Sequence, residues 1–360
     1  MREPYREILV VDLLGGIGDL VMLLPAVHGL ALRNPGASLR VLTHEPGAAL
    51  LRGDPAVTRV LTPRHGGAGA EREAVAEALA ARRPDLVVTT TRYDGIPELL
   101  AASGARCVTD LWRRPPPDEP VGERYLRILL AEGLLRPEDV LARPVVRLTP
   151  AEIAYGESVL ARRIPPPAGT ARPPVVLVTD AGMAVKRWPA GRWRELAALL
   201  ARRGHPLLTP DAPPKRADAT HAAFGPQVAV LPRCGLRGLA ACFAAVARRG
   251  GVVVGGDTGP LRVAAAAGAA TVGLFGPTWA RRYGIGASTG PEHAVDLQGQ
   301  PGCPHRRPTA ITEQPCWWTA ECPLSPAGAA CMTDIGVSSV ARAVTRLCAD
   351  SPVRHPADDA

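Results

Sequence analysis

Two glycine-containing segments of the 360-residue chain carry the side chains best suited to chemistry. Residues 14–19 (LGGIGD) follow an apolar run at residues 8–11, and residues 255–260 (GGDTGP) follow an apolar run at residues 252–254. Glycines directly after a strand permit positive φ angles and let a ligand approach the backbone closely. Each segment is therefore a candidate ligand-binding turn that leads from a strand into a helix.

Asp19 ends the first turn, directly after Gly18. A carboxylate at this point suits a general base that takes a proton from a substrate hydroxyl. Aspartate is also a common N-cap, which would give Asp19 a purely structural role. The turn is not a G-x-G-x-x-G motif, because Val21 stands three residues after Gly18, and no Gly-Lys-Ser/Thr follows. An NAD-dependent Rossmann oxidoreductase is therefore a disfavoured alternative.

The second turn predicts an anion-binding site. The backbone N–H groups around Thr258 and Gly259 and the Thr258 hydroxyl form a nest at the start of a predicted helix. Arg262 follows in the first turn of that helix, where a cation is unfavourable unless an anion is present. Asp257 either caps the helix or accepts hydrogen bonds from ligand hydroxyls.

Lys186 is conspicuous against the composition of the chain. The 42 strongly basic residues include only two lysines, Lys186 and Lys215, and this bias is typical of a GC-rich genome. A compact ammonium on a loop before a helix suits contact with a phosphate oxygen, although an ordinary surface lysine is the plainer alternative. Thr179 and Gly276 end two further predicted strands and complete the expected anion site.

The formal charge of +8 excludes little, because the arginines are scattered singly and in pairs. Without a long basic run or an aromatic platform, nucleic-acid binding is not expected. No apolar stretch reaches the roughly 18–20 residues needed to cross a bilayer, and the sequence begins without a signal-peptide pattern. We expect a soluble, cytoplasmic protein with at most peripheral membrane contact.

Strand and helix patterns alternate along the chain, which predicts an α/β fold with parallel sheets. A proline-rich linker at residues 165–174 divides two similar halves, so we predict domains at residues 1–165 and 166–335, followed by a helix and tail at residues 336–360. Residues 279–330 are expected to be irregular. In such folds a ligand binds at the carboxyl ends of the strands, here near a cleft between the two halves.

The cysteines of the irregular segment do not predict a metal site. Cys303, Cys316, Cys322 and Cys331 contain no Cys-x-x-Cys pair, so a structural zinc ion is only weakly supported. Disulfides are not expected in a cytosolic enzyme. The neighbouring tryptophans 317 and 318 either stack on a sugar ring or pack the loop, and packing is favoured. Cys107, Cys234, Cys242 and Cys348 are expected to be ordinary buried thiols.

Together, these motifs resemble the family 9 glycosyltransferases, which include the ADP-heptose heptosyltransferases. The resemblance rests on residues 8–26, on residues 186–193 (KRWPAGRW), on residues 257–278 and on residues 316–335. It implies the GT-B fold, with two Rossmann-like domains facing a central cleft, and transfer with inversion and without a metal or other cofactor. It also implies that Asp19 is the base, that Lys186 contacts the donor diphosphate and that Asp257, Thr258 and Gly259 hold the donor. The family commonly has His where Arg262 stands.

The resemblance makes ADP-heptose the expected donor. The acceptor stays open between a lipopolysaccharide core, a protein, and a secondary metabolite such as an aminoglycoside or nucleoside. The GC-rich composition favours the secondary metabolite, because it points to a host of the kind that lacks lipopolysaccharide. A non-catalytic nucleotide-sugar binding protein is a third hypothesis, which the presence of both Asp19 and Lys186 disfavours.

Overall fold

The computed structural model describes residues 4–111, 116–141, 143–164, 172–211 and 224–350. Contacts within the chain divide it into two compact units. The amino-terminal unit comprises Met1–Pro115 and Val121–Arg147, and the carboxyl-terminal unit comprises Pro116–Pro120 and Leu148–Ala360. Most of the predicted proline-rich linker, residues 165–171, lies outside the described residues.

The described part of the amino-terminal unit has a five-stranded parallel sheet in the order β3-β2-β1-β4-β5. Ile8 of the central strand pairs with Leu39 on one side and with Leu86 on the other. Central strands of parallel sheets are buried on both faces, which explains the unbroken apolar run at residues 8–11. The strands are β1 (Glu7–Asp12), β2 (Ser38–Thr43), β3 (Arg59–Leu61), β4 (Leu86–Thr89) and β5 (Arg106–Val108).

Helices connect these strands, as the parallel arrangement requires. The longest follows β1 directly and is buried from Leu20 to Leu30. The helices are α1 (Ile17–Arg33), α2 (Ala48–Leu51), α3 (Ala70–Ala81), α4 (Ile96–Ala101) and α5 (Val121–Ala131).

The carboxyl-terminal unit begins with helix α6 (Pro150–Arg163), whose first turn has a Thr149–Glu152 capping box. This helix packs against α8 (Leu236–Arg248), and the contact is close because a Cβ at Gly156 would lie 2.1 Å from the carbonyl oxygen of Ala241. The boundary between the units therefore lies before α6, earlier than the predicted boundary at residue 165.

The six strands described in this unit form a second parallel sheet, in the order β11-β10-β9-β6-β7-β8. Taken from the other edge, this is the 3-2-1-4-5-6 order of doubly wound nucleotide-binding sheets. The strands are β6 (Val175–Val178), β7 (Leu207–Pro210), β8 (Val228–Leu231), β9 (Val252–Gly256), β10 (Ala270–Phe275) and β11 (Ala294–Gln298). The expectation that residues 279–330 are irregular is wrong for β11, which pairs with β10 from Thr271↔Ala294 to Phe275↔Gln298.

The last helix packs into the core of the carboxyl-terminal unit. Its Val340, Val344 and Leu347 lie in one apolar cluster with Trp193 and Leu200. The remaining helices of this unit are α7 (Ala190–Arg202), α9 (Gly259–Ala266), α10 (Ala280–Tyr283), α11 (Gly286–Thr289), α12 (Cys316–Thr319), α13 (Ala330–Asp334) and α14 (Val337–Asp350). None of the described helices is long and apolar enough to span a bilayer.

Candidate functional site

Three charged side chains meet at the carboxyl ends of two neighbouring strands, β6 and β9. The Lys186 Nζ atom lies 2.8 Å from Oδ2 of Asp257, and Nη2 of Arg262 lies 2.8 Å from Oδ1 of the same carboxylate. Lys186 ends a 3-10 turn at Ala184–Lys186 in the loop after β6, whereas Asp257 directly follows β9. The sheet order reverses between these two strands, and a doubly wound sheet binds its ligand at such a reversal.

Asp257 organises this cluster of opposite charges. Burial alone would raise the pKa of the Asp257 carboxyl, but the charges and hydrogen bonds of Lys186 and Arg262 hold that pKa well below its ordinary value. The carboxylate is therefore ionised at neutral pH. Two cations and one anion leave a net charge of about +1 on the trio, and that charge suits an anionic ligand.

The amino-terminal end of α9 lies beside these charges. Thr258 is the N-cap of the helix, and Gly259 and a proline occupy its first positions. The Thr258 hydroxyl is buried and has no hydrogen-bond partner among the described residues. Free backbone N–H groups and the positive end of the helix dipole make this terminus a ready anion site, as the sequence predicted.

Arg262 lies deep in this site rather than at its surface. Its guanidinium donates to Asp257 and also to the carbonyl oxygen of Tyr283, and the side chain is 7% exposed. The partnership with Asp257 offsets the unfavourable position of a cation in the first turn of a helix. The sequence argument predicted an anion beside Arg262 but did not anticipate that part of this role falls to Asp257.

Thr179 and Gly276 lie at the same edge of the sheet, and both are buried. Gly276 packs tightly, because a Cβ at this position would lie 2.3 Å from Sδ of Met332 and 3.0 Å from Sγ of Cys331. Its carbonyl oxygen accepts a hydrogen bond from Nη2 of Arg306 at 2.9 Å. Packing thus explains the absence of a side chain at Gly276, and its contact with a donor stays a prediction.

The two adjacent tryptophans of α12 have different environments. Trp317 is 5% exposed, and the Lys186 ammonium lies 5.1 Å from the centre of its ring, a cation–π contact. Trp318 is 72% exposed, with its indole N–H donating to the carbonyl oxygen of Thr312. Trp317 thus packs the loop, as favoured, and it also helps to position Lys186.

The glycine turn of the amino-terminal unit leads from β1 into α1. Gly15 has φ of +85°, in the left-handed region that favours glycine, and Gly16 is the N-cap of α1. Asp19 lies in the first turn of the helix, three residues after Gly16, and is half-buried. The N-cap interpretation of Asp19 is therefore wrong, because Gly16 occupies that position.

The carboxylate of Asp19 lies over the turn. A Cβ added to Gly16 would lie 2.2 Å from its Oδ2 atom. Gly16 thus makes room for this orientation of Asp19, and Gly18 occupies the same first turn. A half-buried carboxylate held at the carboxyl edge of a parallel sheet has the placement that a general base requires.

A second carboxyl beneath the same turn was not identified from the sequence. Asp12 ends β1, is 2% exposed and accepts a hydrogen bond of 2.6 Å from Oγ1 of Thr90. Burial raises the pKa of Asp12 to about 7, against the lowering effect of Thr90, and the nearby charge of Asp19 raises it further. The available sequence signal was an acidic residue ending a buried strand.

The cysteines of the carboxyl-terminal region gather around one small cavity. All eight cysteines of the chain are free thiols. Burial raises the pKa of the Cys331 thiol to about 12 and also raises the pKa of Cys316. In the part of the chain that the structure describes, no group of three or more His, Cys, Asp or Glu side chains is placed to hold a metal ion. The cavity is lined by Cys303, His305, Arg306, Cys316, Cys322 and Cys331, among others.

The other four cysteines are less buried than expected. Cys242 is buried within α8, whereas Cys107, Cys234 and Cys348 are only partly buried. Lys215 and the loop at residues 212–215 lie outside the described residues.

Comparisons with known proteins agree with this architecture. Residues 147–298 match the model of glycosyltransferase family 9 (heptosyltransferase). Lipopolysaccharide heptosyltransferase 1 of Pseudomonas aeruginosa is 28% identical over 282 residues, which are 73% of this chain and 76% of that protein.

Solved structures show a similar fold. A family 9 glycosyltransferase from Veillonella parvula has a TM-score of 0.74 at 16% identity, covering 97% of this chain and 99% of that chain. The ADP-heptose lipopolysaccharide heptosyltransferase II of E. coli has a TM-score of 0.67 at 18% identity, covering 95% and 98%. The two parallel sheets are those of the GT-B fold.

Proposed function

Because residues 147–298 are a glycosyltransferase family 9 (heptosyltransferase) domain and the chain is a glycosyl-transfer enzyme, we propose that it transfers a heptose from ADP-heptose to an acceptor hydroxyl. The reaction is a single displacement that inverts the anomeric centre. The observation that carries the proposal is the cluster of Lys186, Asp257 and Arg262 at the start of α9.

The leaving diphosphate gains negative charge as the glycosidic bond breaks. Lys186 and Arg262 stabilise that charge, together with the N–H groups at Thr258 and Gly259. Asp257 holds the two cations in place before the donor arrives, so little reorganisation is needed during the reaction. These groups supply the positive charge for which other glycosyltransferases use a divalent cation, and we therefore propose that neither a metal nor another cofactor takes part.

Asp19 is the general base of the proposed reaction. Its carboxylate accepts the proton of the acceptor hydroxyl, and the oxygen attacks the anomeric carbon on the face opposite the diphosphate. The bond to the acceptor oxygen forms as the bond to the diphosphate oxygen breaks, and ADP leaves. General-base catalysis contributes roughly 10²–10⁴-fold in rate.

The choice of ADP-heptose rests on the relatives. The similar Pseudomonas aeruginosa protein is a lipopolysaccharide heptosyltransferase, and the similar E. coli structure is an ADP-heptose heptosyltransferase. Glycosyl transfer as the enzyme class also displaces the NAD-dependent oxidoreductase considered for the glycine turn.

Two acceptor classes have support of different kinds. The lipopolysaccharide relative favours a lipopolysaccharide core. The arginine-rich, lysine-poor composition favours a secondary metabolite such as an aminoglycoside or nucleoside, because it points to a host of the kind that lacks lipopolysaccharide. We propose the secondary metabolite as the acceptor and the lipopolysaccharide core as the competing candidate.

A transfer assay tests the proposal directly. Purified protein is incubated with ADP-heptose and either a panel of aminoglycosides and nucleosides or a lipopolysaccharide-core acceptor, in the presence of EDTA. ADP release is measured together with the mass gain of the acceptor. We expect transfer by the wild type, undiminished by EDTA, and a loss of at least tenfold in Asp19→Asn with donor binding retained. Absence of transfer to every acceptor overturns the proposal, and activity above a tenth in the variant removes Asp19 from the role of base.

A further inference from the structure

Within the proposed reaction, we propose that Asp12 is a positioning residue for Asp19, which fixes the glycine turn through Thr90 and Leu14 and places a second carboxyl beneath the base. Asp12 makes no contact with the acceptor or the donor in this scheme. It acts through the turn and through its charge. The inference rests on the proposed role of Asp19 and goes beyond it.

The hydrogen bonds of Asp12 join three parts of the amino-terminal unit. Asp12 is the last residue of β1, and its Oδ1 atom accepts from the Thr90 hydroxyl at 2.6 Å. The backbone N–H of Leu14, within the glycine turn, also donates to its carboxyl. One buried side chain thus links β1, the turn that carries Asp19 and the segment after β4.

The segment after β4 holds the same turn by further hydrogen bonds. The Leu13 backbone N–H donates to Oγ1 of Thr91 at 2.9 Å, and the Tyr93 hydroxyl donates to the Leu13 carbonyl oxygen. The Thr89 hydroxyl donates to the Val11 carbonyl oxygen at 2.9 Å. The chain on either side of Asp12 is therefore fixed, so that a displaced Asp12 would have to move the turn.

No cation acts on the Asp12 carboxyl among the described residues. Asp19, from α1, brings a like charge, and Tyr93, after β4, is a second titratable group close enough to interact. Thr43, the partner of Asp12 in β2, and Thr90 are uncharged. Glu71 and Asp94 act on Tyr93 and add further negative charge around it.

Two carboxyls in one uncompensated environment titrate as a coupled pair. Asp12 keeps its proton into the neutral range, so the first negative charge of the pair resides on Asp19. As Asp12 ionises at higher pH, its charge makes Asp19 hold a captured proton more tightly and strengthens it as a base. The pH dependence of turnover is therefore a property of both residues.

The first measurement needs no activity. In protein with ¹³C-labelled aspartate carboxyls, the Asp12 resonance is followed through a pH titration in the wild type, in Asp19→Asn and in Thr90→Val. We expect Asp12 to titrate in the neutral range, at lower pH in Asp19→Asn because a like charge is gone, and at higher pH in Thr90→Val because a hydrogen bond to the ionised form is gone. An Asp12 resonance that titrates identically in all three proteins overturns the inference.

The second measurement is the pH profile of transfer by Asp12→Asn, with the melting temperature as a check on folding. We expect kcat at pH 7 to fall about tenfold, the KM for ADP-heptose to stay unchanged, and the acidic limb of the profile to move to lower pH. An unmoved limb in a folded variant contradicts the inference even if kcat falls. If the wild type transfers no sugar, the proposed function fails, whereas the carboxyl titrations still decide whether the two aspartates are coupled. If Asp12→Asn does not fold, Thr90→Val takes its place.

Discussion

Lys186 and Asp257 form an ion pair with a distance of 2.8 Å between Nζ and Oδ2, although 71 residues separate them in the sequence. The pair joins the loop after β6 to the start of α9, at the point where the order of the second sheet reverses. Because Arg262 binds the other oxygen of the same carboxylate, one buried aspartate aligns both cations. The binding site for an anionic donor is thus organised in advance.

This arrangement predicts the effect of Asp257→Asn. The amide keeps the shape of the side chain but removes the charge that aligns Lys186 and Arg262, and it leaves two buried cations without an anion. We expect donor affinity to fall at least tenfold and the melting temperature to fall by several degrees. Titration calorimetry with ADP measures the affinity.

Asp180→Asn is the matched control, because Asp180 lies in the same loop region and makes only a long contact of 3.9 Å to Arg187. We expect this control to behave as the wild type. An Asp257→Asn variant that binds ADP as tightly as the wild type contradicts the assigned role of the carboxylate.

The adjacent tryptophans of α12 offer a paired test. Trp317→Leu removes the ring that lies against the Lys186 ammonium and leaves a gap in the buried loop. We expect a loss of roughly 3–10-fold in donor affinity, because a partly desolvated cation–π contact contributes on the order of 1 kcal/mol. Trp318→Ala, at a side chain 72% exposed, should leave donor affinity unchanged. Equal losses in the two variants, measured by ADP titration, would show that the contact with Lys186 is not what matters.

Gly16→Ala tests the placement of Asp19. The new methyl group would overlap the Asp19 carboxylate, whose Oδ2 atom lies 2.2 Å from the Cβ position, so that the carboxylate must move away. We expect kcat to fall about 10–100-fold while ADP binding is retained.

Gly66→Ala is the control in the same unit, because nothing lies within 4 Å of its Cβ position and its φ is not positive. Steady-state kinetics on both variants make the comparison. Normal kcat in Gly16→Ala would mean that the orientation of Asp19 over the turn does not affect the reaction.

Asp12 makes stability depend on pH. In the unfolded chain Asp12 ionises near pH 4, whereas in the folded chain its pKa is about 7. Between these values the folded chain binds more protons than the unfolded chain, so the contribution of Asp12 to the free energy of unfolding decreases as pH rises. Asp12→Asn removes this decrease.

We expect Asp12→Asn to gain stability relative to the wild type between pH 4 and pH 8, by at most about 4 kcal/mol. Urea unfolding of both proteins at a series of pH values measures the difference. A constant difference across this range would contradict the raised pKa of Asp12.

Much of the fold follows from local sequence patterns. Buried parallel strands appear as apolar runs, and so β1, β2, β6 and β9 were predicted within two residues of their observed ends. β11 was missed because only Ala294 of its five residues is fully buried and it lies at the edge of the sheet. An edge strand lacks the unbroken apolar pattern of a central one.

The same distinction applies to the site. Glycine turns and the isolated Lys186 are visible in the sequence, because their residue types are unusual at those positions. The contacts of Asp12 with Thr90 and of Lys186 with Asp257 cross 78 and 71 residues and leave no local pattern. They depend on which strands become neighbours, which only the folded sheet determines.

A panel of nucleotide sugars tests the central claim most directly. The melting temperature of the purified protein is measured with ADP-heptose, other ADP-sugars, UDP-sugars and GDP-sugars, and again with Lys186→Met. We predict that ADP-heptose raises the melting temperature of the wild type most, because a ligand that binds only the folded chain stabilises it, and that Lys186→Met loses most of this rise. No rise with any nucleotide sugar would contradict the claim that this chain is an ADP-heptose-dependent glycosyltransferase.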